Sequence, residues 1–250
     1  MLDFEKIPDK LVKRMLDPRG YEGAYFVGEL VADRKRVLSV GGGYGRDYYY
    51  LSVSGKEVIV FDIAPQSHLP CLVLGDITKG TPFANGQFDA VIMGEILEHL
   101  IDDKSALIEA RRILADDGVL IVTVPFYNDA SEYHVRVHSP LSIRRLLAAC
   151  GFSAEETIFR GGLISFASLL KKLRSLLYVI SFPFLLGRAR EFRRERFKES
   201  FCRTVAKFDM FLGKRCRFLL KFSKYRGCYI LARKAEPVDF AAMNVEEFSR

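Results

Sequence analysis

No two of the five cysteines (Cys71, Cys150, Cys202, Cys216, Cys228) form a CxxC pair or a metal-like spacing. That removes zinc ribbons and thioredoxin-type redox chemistry, and reads as buried or idle thiols of a reducing compartment. No apolar run reaches the ~20 residues that a spanning helix needs. In the most hydrophobic part of the chain, Lys171, Lys172 and Arg174 interrupt the pattern, and the uncharged remainder, Ser175–Gly187, is 13 residues with Pro183 inside it. The opening stretch MLDFEKIPDKLVKRML has no apolar signal core, so a cytoplasmic location is expected. Internal repeats and low-complexity linkers are also missing, which excludes solenoids and disordered spacers.

What is present is a 250-residue chain, 49% hydrophobic and 28% charged, enough for one well-buried core. The apolar runs RVLSV (36–40), EVIVFD (57–62), CLVL (71–74), FDAVIM (88–93) and GVLIVTV (118–124) are short and rich in Val and Ile. They mostly do not alternate with polar residues. Strands covered on both faces by helices have this pattern, so a parallel α/β sheet is predicted. EETIFRG and GCYILARK would be the last two strands. Residues up to about Ala32 read as helical, and so does KSALIEARRILADDG, with Ala106, Ile108, Ala110, Ile113 and Leu114 on one side and Gly118 closing the turn. In SPLSIRRLLAACGF, Ser139 is the expected cap, Pro140 the first helical residue and Gly151 the stop.

The stretch VLSVGGGYGRD (37–47) places glycines at the end of the first strand and the start of a helix, where backbone N–H groups face a ligand. Gly41, Gly43 and Gly45 fit G-x-G-x-G. The third glycine of the dinucleotide pattern falls on Arg46 instead. Asp62 ends the second strand about twenty residues on, where a carboxylate can accept both hydroxyls of a ribose.

With these residues in view, the chain resembles the class I S-adenosylmethionine-dependent methyltransferases, over about residues 25–160 and 227–234. VLSVGGGYGRD, VIVFDI, LGDIT (74–78) and FDAVIMGEILEHL (88–100) are similar to that family's first four motifs, and RRILADDGVLIVTVPF to its fifth-strand region. The resemblance implies a Rossmann-like, seven-stranded, mostly parallel sheet and S-adenosyl-L-methionine as cofactor. It places Gly41, Gly43 and Gly45 at the methionine part, Asp62 at the ribose, and Asp76 at the adenine amino group with Ile77 beside the ring; Val40, Gly42, Ile63 and Glu95 are further cofactor-binding candidates. Ser39 stands where the family has an acidic residue, which hands the cofactor's ammonium group to a water or to the region of Glu95.

Glu95, Glu98 and His99 in EILEH follow the fourth strand, and His134 and His138 follow the fifth. Three uses of these side chains stay open. They order the loop and cofactor; His99 or His134 is a general base; or Glu95, Glu98 and His99, with His138 or His134 as a further ligand, bind Mg²⁺, Mn²⁺ or Zn²⁺ to polarise an acceptor hydroxyl. The E-x-x-E-H spacing is similar to that of ubiquinone-pathway O-methyltransferases and small-RNA 3′-end methyltransferases, which implies the third.

About 65 residues part the last two strands, far beyond a usual connection. The expected organisation is a core over 1–160, a basic amphipathic helical insertion over 161–226, and a closing strand with tail over 227–250. From Gly161 to Cys228 there are seventeen Lys and Arg against four Asp and Glu, so the rest of the chain is acidic on balance. On a helical wheel Leu163, Phe166, Leu169, Leu170, Leu173, Leu176, Leu177 and Ile180 share one side. Such a segment suits a lid over the acceptor pocket, an anionic membrane surface, or, with interleaved Arg and Phe, single-stranded nucleic acid. The favoured reading is O-methylation of a small or lipid-linked acceptor at the inner membrane face. An RNA methyltransferase and a non-catalytic, cofactor-binding scaffold are the alternatives.

Overall fold

The computed structural model describes residues 7, 11–12, 18–65, 69–127, 130–160, 188–215 and 226–240. Helix α1 (Pro18–Leu30) leads into strand β1 (Arg36–Val40), and α2 (Arg46–Ser52) follows the glycine turn. Then come β2 (Glu57–Asp62), β3 (Leu72–Leu74), β4 (Phe88–Gly94), α3 (Asp103–Ile113), β5 (Leu114–Pro125), α4 (Pro140–Ala149), β6 (Phe152–Arg160), α5 (Arg188–Arg215) and β7 (Gly227–Lys234). The seven strands form one sheet in the order β3-β2-β1-β4-β5-β7-β6. All pairs are parallel except those of β7, which runs antiparallel to both β5 and β6. The closing strand thus slots between its two predecessors.

Two buried layers sandwich the sheet because successive strand residues point to opposite faces. Val37 joins α1 and α2 on one side, through Tyr21, Phe26, Tyr50 and Leu51. Leu38 and Val40 join α3 and α4 on the other, through Leu107, Ile113, Ile143 and Leu147. Helix α4 starts as the sequence requires: Ser139 accepts a hydrogen bond from the Ser142 N–H and Ser142 returns one, with Pro140 opening the first turn. Gly151 then takes the left-handed conformation, φ 78°.

Helix α3 differs from the sequence expectation. Its buried stripe is Asp103, Ala106, Leu107, Ala110 and Ile113, while Ile108 is half exposed. Leu107 completes the i, i+3, i+4, i+7 spacing, and Ile108 lies about a quarter-turn away from it. Leu114 is already in β5, paired with Phe88. Its side chain folds over Gly118, where a Cβ would come within 2.8 Å of Leu114 Cδ1.

The chain between β3 and β4, which carries Asp76, is braced from α3. Glu109 Oε1 accepts from the Thr81 N–H and hydroxyl at 2.7 and 2.6 Å, and both carboxylate oxygens accept from Arg112. Arg112 also reaches the Phe83 carbonyl and Asn85. The Arg112 bonds, seconded by Thr81, pull the Glu109 carboxyl down to about 2. A depressed carboxyl stabilises the fold above its unfolded value and loses that contribution as pH falls from about 4.5 to about 2. Replacing Glu109 by Gln should cost about 2 kcal/mol at neutral pH and flatten this acid limb, as read from urea unfolding at pH 7 and pH 3.

Of the insertion, helix α5 and Arg226 are described. The wheel residues Leu163 to Ile180 and the segment 216–225 lie outside the described residues. Cys202, Ala206 and Met210 of α5 join the layer around α1, and Lys214 pairs with Glu156 of β6 at 2.7 Å. Phe208 and Phe211 point outward. No helix among the described residues is long and apolar enough to cross a membrane.

Candidate functional site

The carboxyl ends of β1, β2 and β4 converge, and the turn after β1 is built so that something can lie against it. Gly41, Gly43 and Gly45 all have positive φ, at 71°, 50° and 84°. The reasons for the missing side chains differ. A Cβ on Gly42 would stand 2.3 Å from Val60 Cγ1, and one on Gly45 2.6 Å from Leu69 Cδ2, so these two serve packing. One on Gly43 would meet nothing within 4 Å. Gly43 therefore borders open space at the carboxyl edge of the sheet, the edge where open α/β sheets have their ligand crevice.

Asp62 stands beside the turn, its Oδ1 accepting from the Ala64 N–H at 3.0 Å. Its register partner on β3 is Leu74. Ile63 and Leu74 are both exposed large apolar side chains at neighbouring strand ends, suited to stack on a planar ring. Asp76 caps a short turn, with Oδ1 accepting from the Thr78 N–H and hydroxyl, and these bonds hold its carboxyl below the usual range. Ile77 is buried in the core with Phe61 and Phe83, and Val40 is buried too.

Arg46 does not obstruct the crevice. Its guanidinium turns into the protein and forks onto Asp47, at 2.8 and 3.2 Å, against α1 and Tyr229. The space a third glycine would have left on α2 is supplied by α1 instead: a Cβ at Gly23 would come 2.6 Å from Arg46 Nη1. Burial opposes the charge, yet Asp47 outweighs it and keeps the arginine ionised. Tyr49 and Tyr50 are buried, Tyr50 edge-on to Tyr21, and Tyr44 is exposed.

Glu95 follows β4 in a left-handed conformation, φ 55°, unusual for a side-chain-bearing residue. Three bonds to Thr123 hold it there: its N–H donates to the Thr123 carbonyl and to Oγ1, and that hydroxyl donates to Oε1 at 3.0 Å. Oε2 accepts from Arg160 at 2.8 Å. Arg160 ends β6 at the root of the insertion, whose far root is tied in alongside, Arg226 N–H to the Arg160 carbonyl and Phe126 N–H to the Arg226 carbonyl. Both ends of the insertion thus border this site. Nothing local in the sequence links Glu95 to Thr123 or Arg160; only the strand order does.

Glu98, His99 and His134 come together, each offering one ligand atom with all three atoms within 4.8 Å of one another. Glu98 is fully buried and neither carboxylate oxygen has a hydrogen-bond partner. Burial, with a smaller push from Glu95, raises its carboxyl to about 7. The His99 Nδ1–H donates to the Tyr133 carbonyl at 3.1 Å, which leaves the Nε2 lone pair outward. His134 Nδ1 accepts from the Ser131 N–H at 3.1 Å, so the neutral ring carries its proton on Nε2.

Of the residues expected to ligate a metal, Glu98 and His99 are brought together while Glu95 and His138 are not. Glu95 is engaged by Arg160 and Thr123. His138 is buried behind the loop, Nε2 4.0 Å from Asp103 Oδ2, and burial lowers its basicity. His134 takes the third position. For a divalent cation this set fits in part: Glu98 and His99 have free ligand atoms, but His134 would have to give up its bond from Ser131.

Residues 38–122 match a family described as a methyltransferase domain. No curated protein matches the sequence significantly. Among solved structures, the chain is similar to an S-adenosylmethionine-dependent methyltransferase from Archaeoglobus fulgidus, with TM-score 0.55 and 14% identity, covering 84% of this chain and 94% of that one. It is also similar to the Burkholderia thailandensis 1,6-didemethyltoxoflavin-N1-methyltransferase, solved with 1,6-didemethyltoxoflavin and S-adenosylhomocysteine, with TM-score 0.53, 14% identity, and 88% and 80% of the two chains covered. The YcgJ protein of Bacillus subtilis has TM-score 0.53 and 15% identity, over 86% of this chain and 99% of that one. At these identities the likeness is one of fold.

Proposed function

We propose that this chain, which has the class I S-adenosylmethionine-dependent methyltransferase fold, transfers a methyl group from S-adenosylmethionine to an oxygen of a small or lipid-linked acceptor. The observation that carries this reading is the open space at Gly43, with Asp62 at the end of neighbouring β2, and Glu98, His99 and His134 gathered from the chain after β4 and after β5. When bound, the cofactor supplies an electrophilic methyl on a sulfonium. Gly41, Gly43 and Gly45 give its amino-acid part backbone to lie on, Asp62 accepts the ribose hydroxyls, Ile63 and Leu74 flank the adenine, and Asp76 its amino group. Glu95, following β4, is the carboxylate that would serve the cofactor's ammonium group where Ser39 cannot, its charge shared with Arg160.

In-line transfer asks the protein chiefly to orient the reactants. A hydroxyl acceptor also has a proton to lose. His99 suits that task, because the Tyr133 carbonyl holds the proton on Nδ1 and leaves Nε2 free to accept one. A Mg²⁺, Mn²⁺ or Zn²⁺ on Glu98 and His99 would serve the same end by lowering the acceptor's pKa.

The insertion supports a place at the inner membrane face. Its basic excess matches an anionic lipid surface, and Phe208 and Phe211 lie exposed on either side of the buried pair Asp209 and Met210 of α5. The membrane-facing lid over 161–226 is part of this proposal.

Titration calorimetry with S-adenosylhomocysteine, followed by labelled methyl transfer into membrane extracts, tests the reading. Tight binding and a labelled acceptor are expected, with the protein floating on anionic vesicles at low salt. Binding without transfer would favour a scaffold, and label appearing in RNA would redirect the search for the acceptor.

A further inference from the structure

Between β5 and α4 the chain folds back over the turn that holds His99, and it is fastened there by side chains outside every motif. The Val135 and Arg136 N–H groups both donate to the Glu98 carbonyl, at 2.8 and 3.3 Å. The Arg136 guanidinium forks: Nη1 donates to Asp103 Oδ2 at 2.7 Å and Nη2 to the Ile101 carbonyl at 2.8 Å. Asp103, in the first turn of α3, has a side chain only 5% exposed, and equally buried His138 packs against the same oxygen. Arg136 itself is 40% exposed, so the cost of breaking the pair falls on Asp103, whose buried charge would lose its partner.

We infer that Asp103 and Arg136 form a positioning pair for the acceptor side of the site. This rests on the reading of His99 and His134 given above. Neither residue of the pair reaches the imidazoles. The clamp sets the loop that does: Tyr133, whose carbonyl fixes the His99 tautomer, and His134, whose ring stands 4.9 Å from that of His99, both belong to it. Residues 131–138 form no helix or strand, so without the clamp nothing regular would hold them. His99 would then be free to move its proton to Nε2 and lose its basic atom.

The test uses uniformly isotope-labelled protein by nuclear magnetic resonance, where four histidines give imidazole signals. Wild type should show a ring-to-ring Overhauser contact between His99 and His134, with slowed amide exchange at Val135 and Arg136. Arg136→Gln should lose the contact and the protection, whereas Arg136→Lys, which keeps the charge opposite Asp103, should restore the contact. If Arg136→Gln does not fold, the double variant D103N/R136Q, which leaves no uncompensated charge, takes its place. Transfer by the folded variant should fall by about tenfold or more, with S-adenosylhomocysteine affinity within about twofold of wild type. An intact Overhauser contact in the glutamine variant, or a lost contact with undiminished transfer, would overturn the inference. The resonance measurement needs neither cofactor nor acceptor. A wild type that transfers no methyl group would therefore defeat the proposed reaction and leave the clamp to be decided on its own.

Discussion

Gly43→Ala is expected to weaken S-adenosylhomocysteine binding by about a hundredfold or more while costing the fold only about 1 kcal/mol. The two effects separate because the new methyl would enter open space, with no protein atom within 4 Å, at a backbone φ of 50° that alanine tolerates with modest strain. Its volume falls where the cofactor's amino-acid part is proposed to lie. Gly42→Ala should behave in the opposite way. Its Cβ would stand 2.3 Å from Val60 Cγ1 and 3.1 Å from Leu69 Cδ1, an overpacking worth about 1–3 kcal/mol of stability. Asp62→Ala removes the carboxylate proposed to accept two ribose hydroxyls, and at roughly 1.5–3 kcal/mol for each charge-assisted bond should also lose about a hundredfold or more in affinity. Calorimetry on the three variants, paired with thermal unfolding, checks the pattern. Unaltered affinity in Gly43→Ala would remove the crevice from the cofactor's site.

Glu98→Gln should make the protein more stable, by up to about 3 kcal/mol at pH 8 and by little at pH 4. The carboxyl is buried without a hydrogen-bond partner for either oxygen, and its burial lifts it from an ordinary 4.5 to about 7. Below pH 4.5 it is protonated in folded and unfolded chains alike, and no penalty arises. Between about 4.5 and 7 the unfolded chain ionises first, so stability declines as pH rises; above 7 the loss is complete and constant. Glutamine has nearly the same shape and no charge to bury. Urea unfolding of both proteins at pH 4 and pH 8 measures the difference, and an equal difference at both values would show that the charge is not its source. A group that costs the fold this much above neutral pH is more readily understood as serving the reaction. Mn²⁺ or Zn²⁺ at pH 8 provides a further comparison: if Glu98 ligates a cation, the metal raises the melting temperature of the wild type and not of the variant.

The elements were readable because each rests on a short-range signal. The Val- and Ile-rich runs became the strands, and Ser139, Pro140 and Gly151 bounded α4 as their chemistry requires. Helix α3 was read with one side chain misplaced, since Ile108 and Leu107 compete for the same stripe and only the sheet beneath decides which is buried. That the glycine turn and Asp62 come together was also legible, because they sit on consecutive elements. The grouping of the acidic and histidine side chains was legible only in part. Glu98 and His99 are neighbours in the chain, but the choice of His134 over His138 depends on how the loop after β5 lies down.

The chain's local chemistry was sufficient to determine a mostly parallel α/β sheet, a glycine turn ending its first strand, and a basic segment before its last, since propensity, periodicity and charge act over a few residues. Tertiary structure alone decided that Arg46 turns inward against Gly23, that Glu95 is held by Thr123 and Arg160, and that Arg136 pairs with Asp103 while His134 stands beside His99. Those pairings join residues up to 65 positions apart, and their partners are chosen by strand order and by the need to satisfy buried charge, which no local pattern encodes.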